Sequence, residues 1–176
     1  ADADGYTNGM ALGNGAVLTG SNRIVLGNAA ITDIYAQVTS ITALSDGRHK
    51  RDVADQPLGL DFIQKLRTRQ YRFDNGDDTL RLGIIAQELA DALPDTLRSL
   101  AEKPGDHGLA LLSRENNAEG TYRVAYGEMT APLIKAVQEL AARNRALRAR
   151  HAAANRRLAD LELQLERLEQ NTGSNR

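Results

Sequence analysis

An unbroken heptad repeat from Leu133 to Leu168 restricts the fold of this chain more than any other feature. Steps of four and three residues alternate along it, which is the spacing of positions a and d in a coiled coil. Position a holds Val137, Asn144, His151, Leu158 and Leu165, and position d holds Leu133, Leu140, Leu147, Ala154, Leu161 and Leu168. A lone helix would leave this stripe in water. The repeat therefore predicts partner helices, either in an oligomer or from the chain's own domain.

Two polar residues interrupt the apolar stripe. Asn144 at an a position costs stability and typically fixes the register of the helices. His151 at an a position would gather several imidazoles near the axis of a parallel coil, as in a pH switch or a site for an anion or a metal. The alternative, which we favour, is a tolerated polar layer that holds water.

A different pattern occupies residues 1–44, which are rich in Gly, Asn and β-branched residues and nearly free of charge. Leu12–Gly13–Asn14 recurs as Leu26–Gly27–Asn28, a step of fourteen residues. A short period with Gly and Asn at the turns is typical of β-roll or β-helix-like repeats. Such repeats need stacked neighbours, from further repeats or identical chains. The alternative is a Gly-rich loop that repeats by chance.

The middle of the chain reads as a small mixed domain. Apolar spacing predicts a helix over 58–66, and alternation predicts strands over 68–74 and 120–129. Residues 80–94 begin as a strand and become a helix near Ala86, and residues 102–108 form a loop. The predicted fold class is α+β, in four segments: a β-rich fibre or stalk end (1–44), a mixed α/β domain (45–128), a coiled coil (129–171) and a disordered tail (172–176).

Composition excludes several classes of function. Lys and Arg together number 22 against 23 Asp and Glu, so no overall basic field favours nucleic acid or an anionic membrane. The arginines of residues 143–157 read as a solvated face, because the heptads continue through them. With no cysteine there is no disulfide or Cys-ligated zinc, and no apolar run reaches the ~18 residues of a membrane span. The terminus has no signal-peptide pattern and looks like the start of a fragment.

Neither a metal nor a cofactor is expected. The segment "DADGYTNG", residues 2–9, has the look of a calcium loop. Its ligand set is incomplete, because no distal bidentate Glu follows at the required spacing. The alternative, which we favour, is a turn-rich terminus.

The segment "ITALSDGRHKRDV", residues 41–53, contains the candidate chemistry. A serine hydroxyl becomes a nucleophile when a base takes its proton, and a desolvated lysine can be that base. Ser45 and Lys50 are five residues apart, and Gly47 would let the chain turn so that they meet. Arg48 would hold Asp46 or polarise a carbonyl. On spacing alone the alternative is an ordinary polar turn.

Four blocks of sequence now point to a family. They are "LSDGRHKRDV", "LGLDFIQKLRTRQYRFD", "LGIIAQELADALP" and "YRVAYGEMTAPLIKAVQEL", followed by the coiled coil. Over residues 41–168 this order resembles the C-terminal intramolecular chaperone, or S74 peptidase, domain of bacteriophage tail spikes and fibres, including endosialidases. The fourteen-residue repeats resemble the head repeats of trimeric adhesins.

The resemblance implies a self-cleaving chaperone that trimerises and registers an upstream phage or prophage fibre in the virion tail. Its partners would be two further copies of the chain and the upstream fibre. The family's dyad falls on Ser45 as nucleophile and Lys50 as general base, with Asp46, Gly47 and Arg48 in support. Gln87 and Glu88 match a block that we interpret as core and inter-subunit support. His49 departs from the family pattern, which has a more apolar or aromatic residue there.

Two bonds beside Ser45 are candidates for cleavage. Attack by the hydroxyl on the Leu44 carbonyl passes through a five-membered ring, so chemistry favours Leu44–Ser45. The resemblance instead implies Ser45–Asp46, and on that resemblance alone we favour this second bond. The competing function is a non-cleaving trimeric stalk or adhesin clamp, in which Ser45 and Lys50 are only a turn.

Overall fold

The structure, a computed structural model, describes residues 5–38, 40–103, 108–115 and 119–173, with side chains up to residue 170. The strands are β1 (Met10–Leu12), β2 (Ile24–Leu26), β3 (Arg69–Tyr71), β4 (Arg81–Gly83), β5 (Leu112–Arg114) and β6 (Tyr122–Val124). The helices are α1 (Leu60–Lys65), α2 (Ala86–Ala92), α3 (Asp95–Ala101) and α4 (Thr130–Gly173), with 3₁₀ turns at Gly47–His49 and Tyr126–Met129. The fold is mixed α+β with a long C-terminal helix, as predicted.

The chain divides into two compact units. The first contains Ala1–Asp55 and Leu66–Ala125, and the second contains Gln56–Lys65 and Tyr126–Arg176. The second unit thus combines α1 with the long helix α4.

In the first unit, the fourteen-residue step appears as a parallel pairing of β1 with β2. Met10 lies opposite Ile24 and Leu12 opposite Leu26. The same step joins the turns, because the Asn8 side chain donates to Asn22 Oδ1 at 2.8 Å. Gly13 and Gly27 both have positive φ, a conformation that glycine adopts without steric cost. Each strand has only three residues, so a larger β-roll and its continuation in other chains stay predictions.

The core of the first unit lies where α2, α3 and the β5–β6 hairpin meet. Leu89 of α2 and Leu112 of β5 are 1% and 0% exposed. The predicted change from strand to helix is confirmed, since β4 ends at Gly83 and α2 begins at Ala86. Helix α3 and strand β5 were not predicted. Pro94 lies at the N-cap of α3, where a residue without an N–H is tolerated because the first helical amides lack partners anyway.

The hairpin of β3 and β4 turns through residues 74–80. Its antiparallel register places Arg69 opposite Gly83 and Tyr71 opposite Arg81. At the turn, Arg81 Nη2 lies 2.8 Å from Asp77 Oδ2, and the side chain of Asp77 is nearly buried. Hydrogen bonds from Thr79, and then the ion pair with Arg81, lower the pKa of Asp77 to about 2.

In the second unit, α1 packs on one side of α4. The buried apolar residues include Leu58, Leu60 and Phe62 from the first segment and Pro132 and Ala136 from α4. Glu139 accepts a hydrogen bond from the backbone N–H of Leu60 at 2.8 Å. This contact satisfies one of the amides at the start of α1 that have no partner within the helix.

The heptad stripe of α4 lies on another side of the helix. Its apolar members range from 47% exposed at Leu133 to 65% at Val137. Helix α1 therefore leaves the stripe uncovered. Helix α4 is 44 residues long, and no described helix is long and apolar enough to cross a membrane.

Other predictions have mixed outcomes. The strand predicted over 120–129 is shorter, because β6 ends at Val124 and a 3₁₀ turn follows from Tyr126. Residues 104–107 of the predicted loop, residues 2–4 of the calcium-like segment and residues 174–176 of the predicted tail lie outside the described residues.

We expect Gly59→Ala to destabilise the second unit by about 1–2 kcal/mol, the cost of losing a capping hydrogen bond. A Cβ at Gly59 would lie 2.5 Å from both carboxylate oxygens of Glu139, which must then leave the Leu60 amide. Urea unfolding measures the change. Gly127→Ala is the matched control, because a Cβ there meets open space. Equal stability of the two variants would contradict the role of Glu139.

We expect Asp77→Asn to lower the melting temperature at neutral pH and to lose this effect in acid. The folded-state pKa of Asp77 is about 2, below the ordinary value of 3.8. Its stabilisation is therefore present above about pH 4 and is lost as pH falls towards 2. Melting curves between pH 2 and 7, with Asp78→Asn as control, test this. A difference between wild type and Asp77→Asn that persists at pH 2 would show another cause.

Candidate functional site

The site is built on a single turn of 3₁₀ helix, Gly47–His49. Asp46 is its N-cap, with φ −68° and ψ 127°, and its carboxylate accepts the backbone N–H of Arg48 at 2.9 Å. The amides of His49 and Lys50 then donate to the carbonyls of Asp46 and Gly47, each at 3.1 Å. An Asp at the N-cap favours such a turn because its short side chain replaces a missing backbone acceptor.

An ion pair within the turn reinforces it. Arg48 donates to both carboxylate oxygens of Asp46, with Nη2 at 2.6 Å from Oδ2 and Nε at 3.1 Å from each oxygen. These hydrogen bonds from Arg48 lower the pKa of Asp46, and the same pairing raises the pKa of Arg48. Asp46 is therefore a carboxylate at neutral pH. The expected contact between Arg48 and Asp46 is present.

The turn brings the two residues of the candidate dyad together. Lys50 Nζ donates to Ser45 Oγ at 2.8 Å. This is a normal hydrogen-bond length and the distance that proton transfer between the two atoms requires. Both side chains are exposed to solvent on the single chain. The spacing of five residues is thus compatible with direct contact.

Two backbone features differ from the sequence reasoning. Gly47 does not adopt a positive φ, and a Cβ there would meet open space, so the turn does not depend on glycine. Asp52 does adopt a positive φ of 55°, which is uncommon for a residue with a side chain. It redirects the chain two residues after Lys50. Asp visits this conformation more often than most residues with a side chain, and no other feature of the sequence indicated a positive φ at Asp52.

Glu88, from the predicted support block, connects two elements of the same chain. It accepts two hydrogen bonds from Arg69 of β3, and this arginine lowers the pKa of Glu88. Gln87 is exposed. The ion pair of Arg69 with Glu88 joins β3 to α2. An inter-subunit role of Glu88 stays a prediction.

The predicted coiled-coil residues all lie on α4. The larger apolar members of the predicted core are Val137, Leu140, Leu147, Leu158, Leu161, Leu165 and Leu168, each more than half exposed. Asn144 and His151 are also exposed, and His151 Nδ1 lies 3.5 Å from Asn155 Nδ2. Among the described side chains, no three His, Asp or Glu residues gather as a metal site.

Comparison with known proteins identifies part of the chain. Residues 45–98 match a family described as Peptidase_S74, chaperone of endosialidase. The match begins at Ser45 and includes Lys50 and the block around Glu88. The C-terminal part of the resemblance and the head-repeat resemblance lie outside it.

No curated protein and no solved structure matches the chain. The family assignment therefore depends on the matched segment, which contains the capped turn and the Ser45–Lys50 contact. Residues 45–98 therefore match the Peptidase_S74 chaperone family, as the sequence resemblance predicted.

Proposed function

We propose that this chain is a self-cleaving intramolecular chaperone for an upstream β-structured tail fibre or spike of a phage or prophage. The contact of Lys50 Nζ with Ser45 Oγ at 2.8 Å, at the start of the matched domain, carries the proposal. The chaperone forms a homotrimer, aligns the three fibre ends, and leaves after cleavage at Ser45. The fibre that remains after cleavage belongs to the virion tail.

Cleavage proceeds by attack of the serine hydroxyl on a neighbouring carbonyl. Lys50 as the neutral amine takes the proton from Ser45 Oγ, and Oγ bonds to the Leu44 carbonyl carbon through a five-membered ring. The C–N bond breaks as its nitrogen receives the proton, which leaves an ester between Leu44 and Ser45. Water hydrolyses this ester to a Leu44 carboxylate and restores the hydroxyl. Cleavage of Ser45–Asp46, which the resemblance implies, would leave an N-terminal fragment that is one residue longer than cleavage of Leu44–Ser45 leaves.

Exposure of the pair suggests how cleavage depends on assembly. A lysine acts as a base only as the neutral amine, and removal from water favours that form. Ser45 and Lys50 are both exposed on the single chain. In the proposed trimer, neighbouring chains cover the pair and thereby activate Lys50. Cleavage would then follow correct assembly. The released fibre would stay folded as a trimer because the barrier to its unfolding is high.

Trimerisation depends on the stripe of α4. A local helix gathers chains more easily than long-range β pairing does, because it has less loop-closure entropy to overcome. Once gathered, the fibre ends have a high effective concentration for one another. The packing of α1 on the Ala136 side supports this proposal, because the a and d positions remain available to other chains.

The second candidate is a trimeric clamp that does not cleave. The same exposure of Ser45 and Lys50 favours it, because on the single chain neither side chain is removed from water, as activation of a lysine base requires. In that case Ser45 and Lys50 serve only to close the 3₁₀ turn.

We expect Lys50→Arg to abolish self-cleavage. Arginine keeps the positive charge and a donor for Ser45 but stays protonated, so it cannot accept a proton. The rate should fall by at least about a hundredfold, the lower range for loss of a general base. Denaturing gels and intact mass after refolding measure the rate and identify the bond.

Ser45→Ala should also stay whole, and His49→Ala, altered within the same turn, should still cleave. Cleavage of Lys50→Arg at the wild-type rate would exclude the dyad.

We expect Leu161→Asp to dissociate the trimer and Leu163→Asp to leave it intact. The two leucines are 52% and 54% exposed, but only Leu161 occupies a d position. A charge buried in the core is costly, whereas a charge on the outer face remains solvated. Light scattering is done with both changes in an uncleaved Ser45→Ala background, in which the mass without a further change should equal three chains. The same mass for both variants would contradict association through the stripe.

A further inference from the structure

The turn between β3 and β4 contacts the chain upstream of the candidate cleavage site. Asn75 Nδ2 donates to the carbonyl of Ala29 at 2.9 Å, and Arg81 Nη2 donates to the carbonyl of Thr32 at 3.1 Å. Ala29 and Thr32 precede Ser45, whereas Asn75 and Arg81 follow it. Cleavage at Ser45 would therefore convert these contacts within one chain into contacts between two fragments.

We propose that Asn75 and Arg81 form a retention site that holds the upstream fragment, through residues 29–32, on the chaperone after the chain is cut. The proposal extends the proposed self-cleavage at Ser45, because only cleavage makes the upstream segment a separate partner. Breaking the peptide bond is then not sufficient for release. The hydrogen bonds of the retention site must also break.

The donors of the retention site are also held by residues of their own turn. Asn75 Oδ1 accepts the backbone N–H of Asp77 at 3.0 Å, which leaves the amide nitrogen to donate to Ala29. Asp77 pairs with Arg81 Nη2 at 2.8 Å, and the guanidinium lies over the ring of Phe73 at 5.4 Å. Groups that are already ordered lose little entropy on binding, so their hydrogen bonds contribute more to affinity.

Both acceptors are backbone carbonyls, so the site recognises the path of the upstream chain more than its side chains. The charge of Asp33 adds an attraction to Arg81.

A full-length chain that is cut by an added protease tests retention without self-cleavage. In a Ser45→Ala background, a recognition sequence for a site-specific protease is inserted after Leu44, and the folded chain is cut and passed through gel filtration. We expect the two fragments to co-elute. Separation of the fragments during the run would overturn the proposal.

Asn75→Asp is the sharpest variant, because it keeps the oxygen that accepts the Asp77 amide but replaces the donor to Ala29. The upstream fragment, labelled at its N-terminus, should dissociate at least about fivefold faster, as expected for loss of one hydrogen bond. Arg81→Ala should also accelerate release, with melting curves to confirm folding. Asp74→Asn, an exposed change in the same turn, is the matched control.

Release of Asn75→Asp and folded Arg81→Ala at the control rate would refute the retention site. Self-cleavage is scored separately, in chains that keep Ser45 and lack the inserted sequence. If those chains stay whole while the protease-cut chains co-elute, self-cleavage is wrong and retention stands.

Discussion

The exposed stripe of α4 is the physical constraint on which the proposed assembly depends. Its leucines and Val137 lie about half or more in water on one chain, while the side of α4 that carries Ala136 is already covered by α1. Burying an exposed leucine stabilises by about 1.5–3 kcal/mol, so several layers supply a large driving force for association. This force, summed over parallel helices, is what would bring distant β segments together.

A second constraint acts at short range, around Ser45. The capped 3₁₀ turn needs only local contacts, namely the Asp46 carboxylate with the Arg48 amide and guanidinium. Such a turn can form before any partner arrives and still hold Lys50 against Ser45. Geometry is thus prepared on each chain, while the dry environment that a lysine base requires must come from outside the turn. Separating these two requirements offers a simple physical means of making chemistry wait for assembly.

The hairpin of β3 and β4 adds a third element to this picture. Its ordered turn contacts the upstream chain through two backbone carbonyls, so residues on the two sides of Ser45 share hydrogen bonds as well as the covalent chain. A chaperone that retained the fibre end after cutting would protect newly formed β structure while it settles. Release would then be a binding equilibrium that mutation can adjust independently of the chemistry.

Much of the fold and the site could be predicted from sequence, because the features concerned are local. The spacing of leucines determined the long helix, the change of period near Ala86 determined the passage from β4 to α2, and the step of fourteen residues determined the register of β1 with β2. The Ser45–Lys50 contact could also be predicted, since a turn of five residues leaves few conformations.

Only the tertiary structure decided that α1 packs beside the heptad stripe and not on it, and that Asn75 and Arg81 meet residues 29–32. Those outcomes depend on contacts between segments that are 46–79 residues apart, such as Leu60 with Glu139 and Asn75 with Ala29. A periodic pattern specifies which face of an element is apolar, but not which distant segment will cover it.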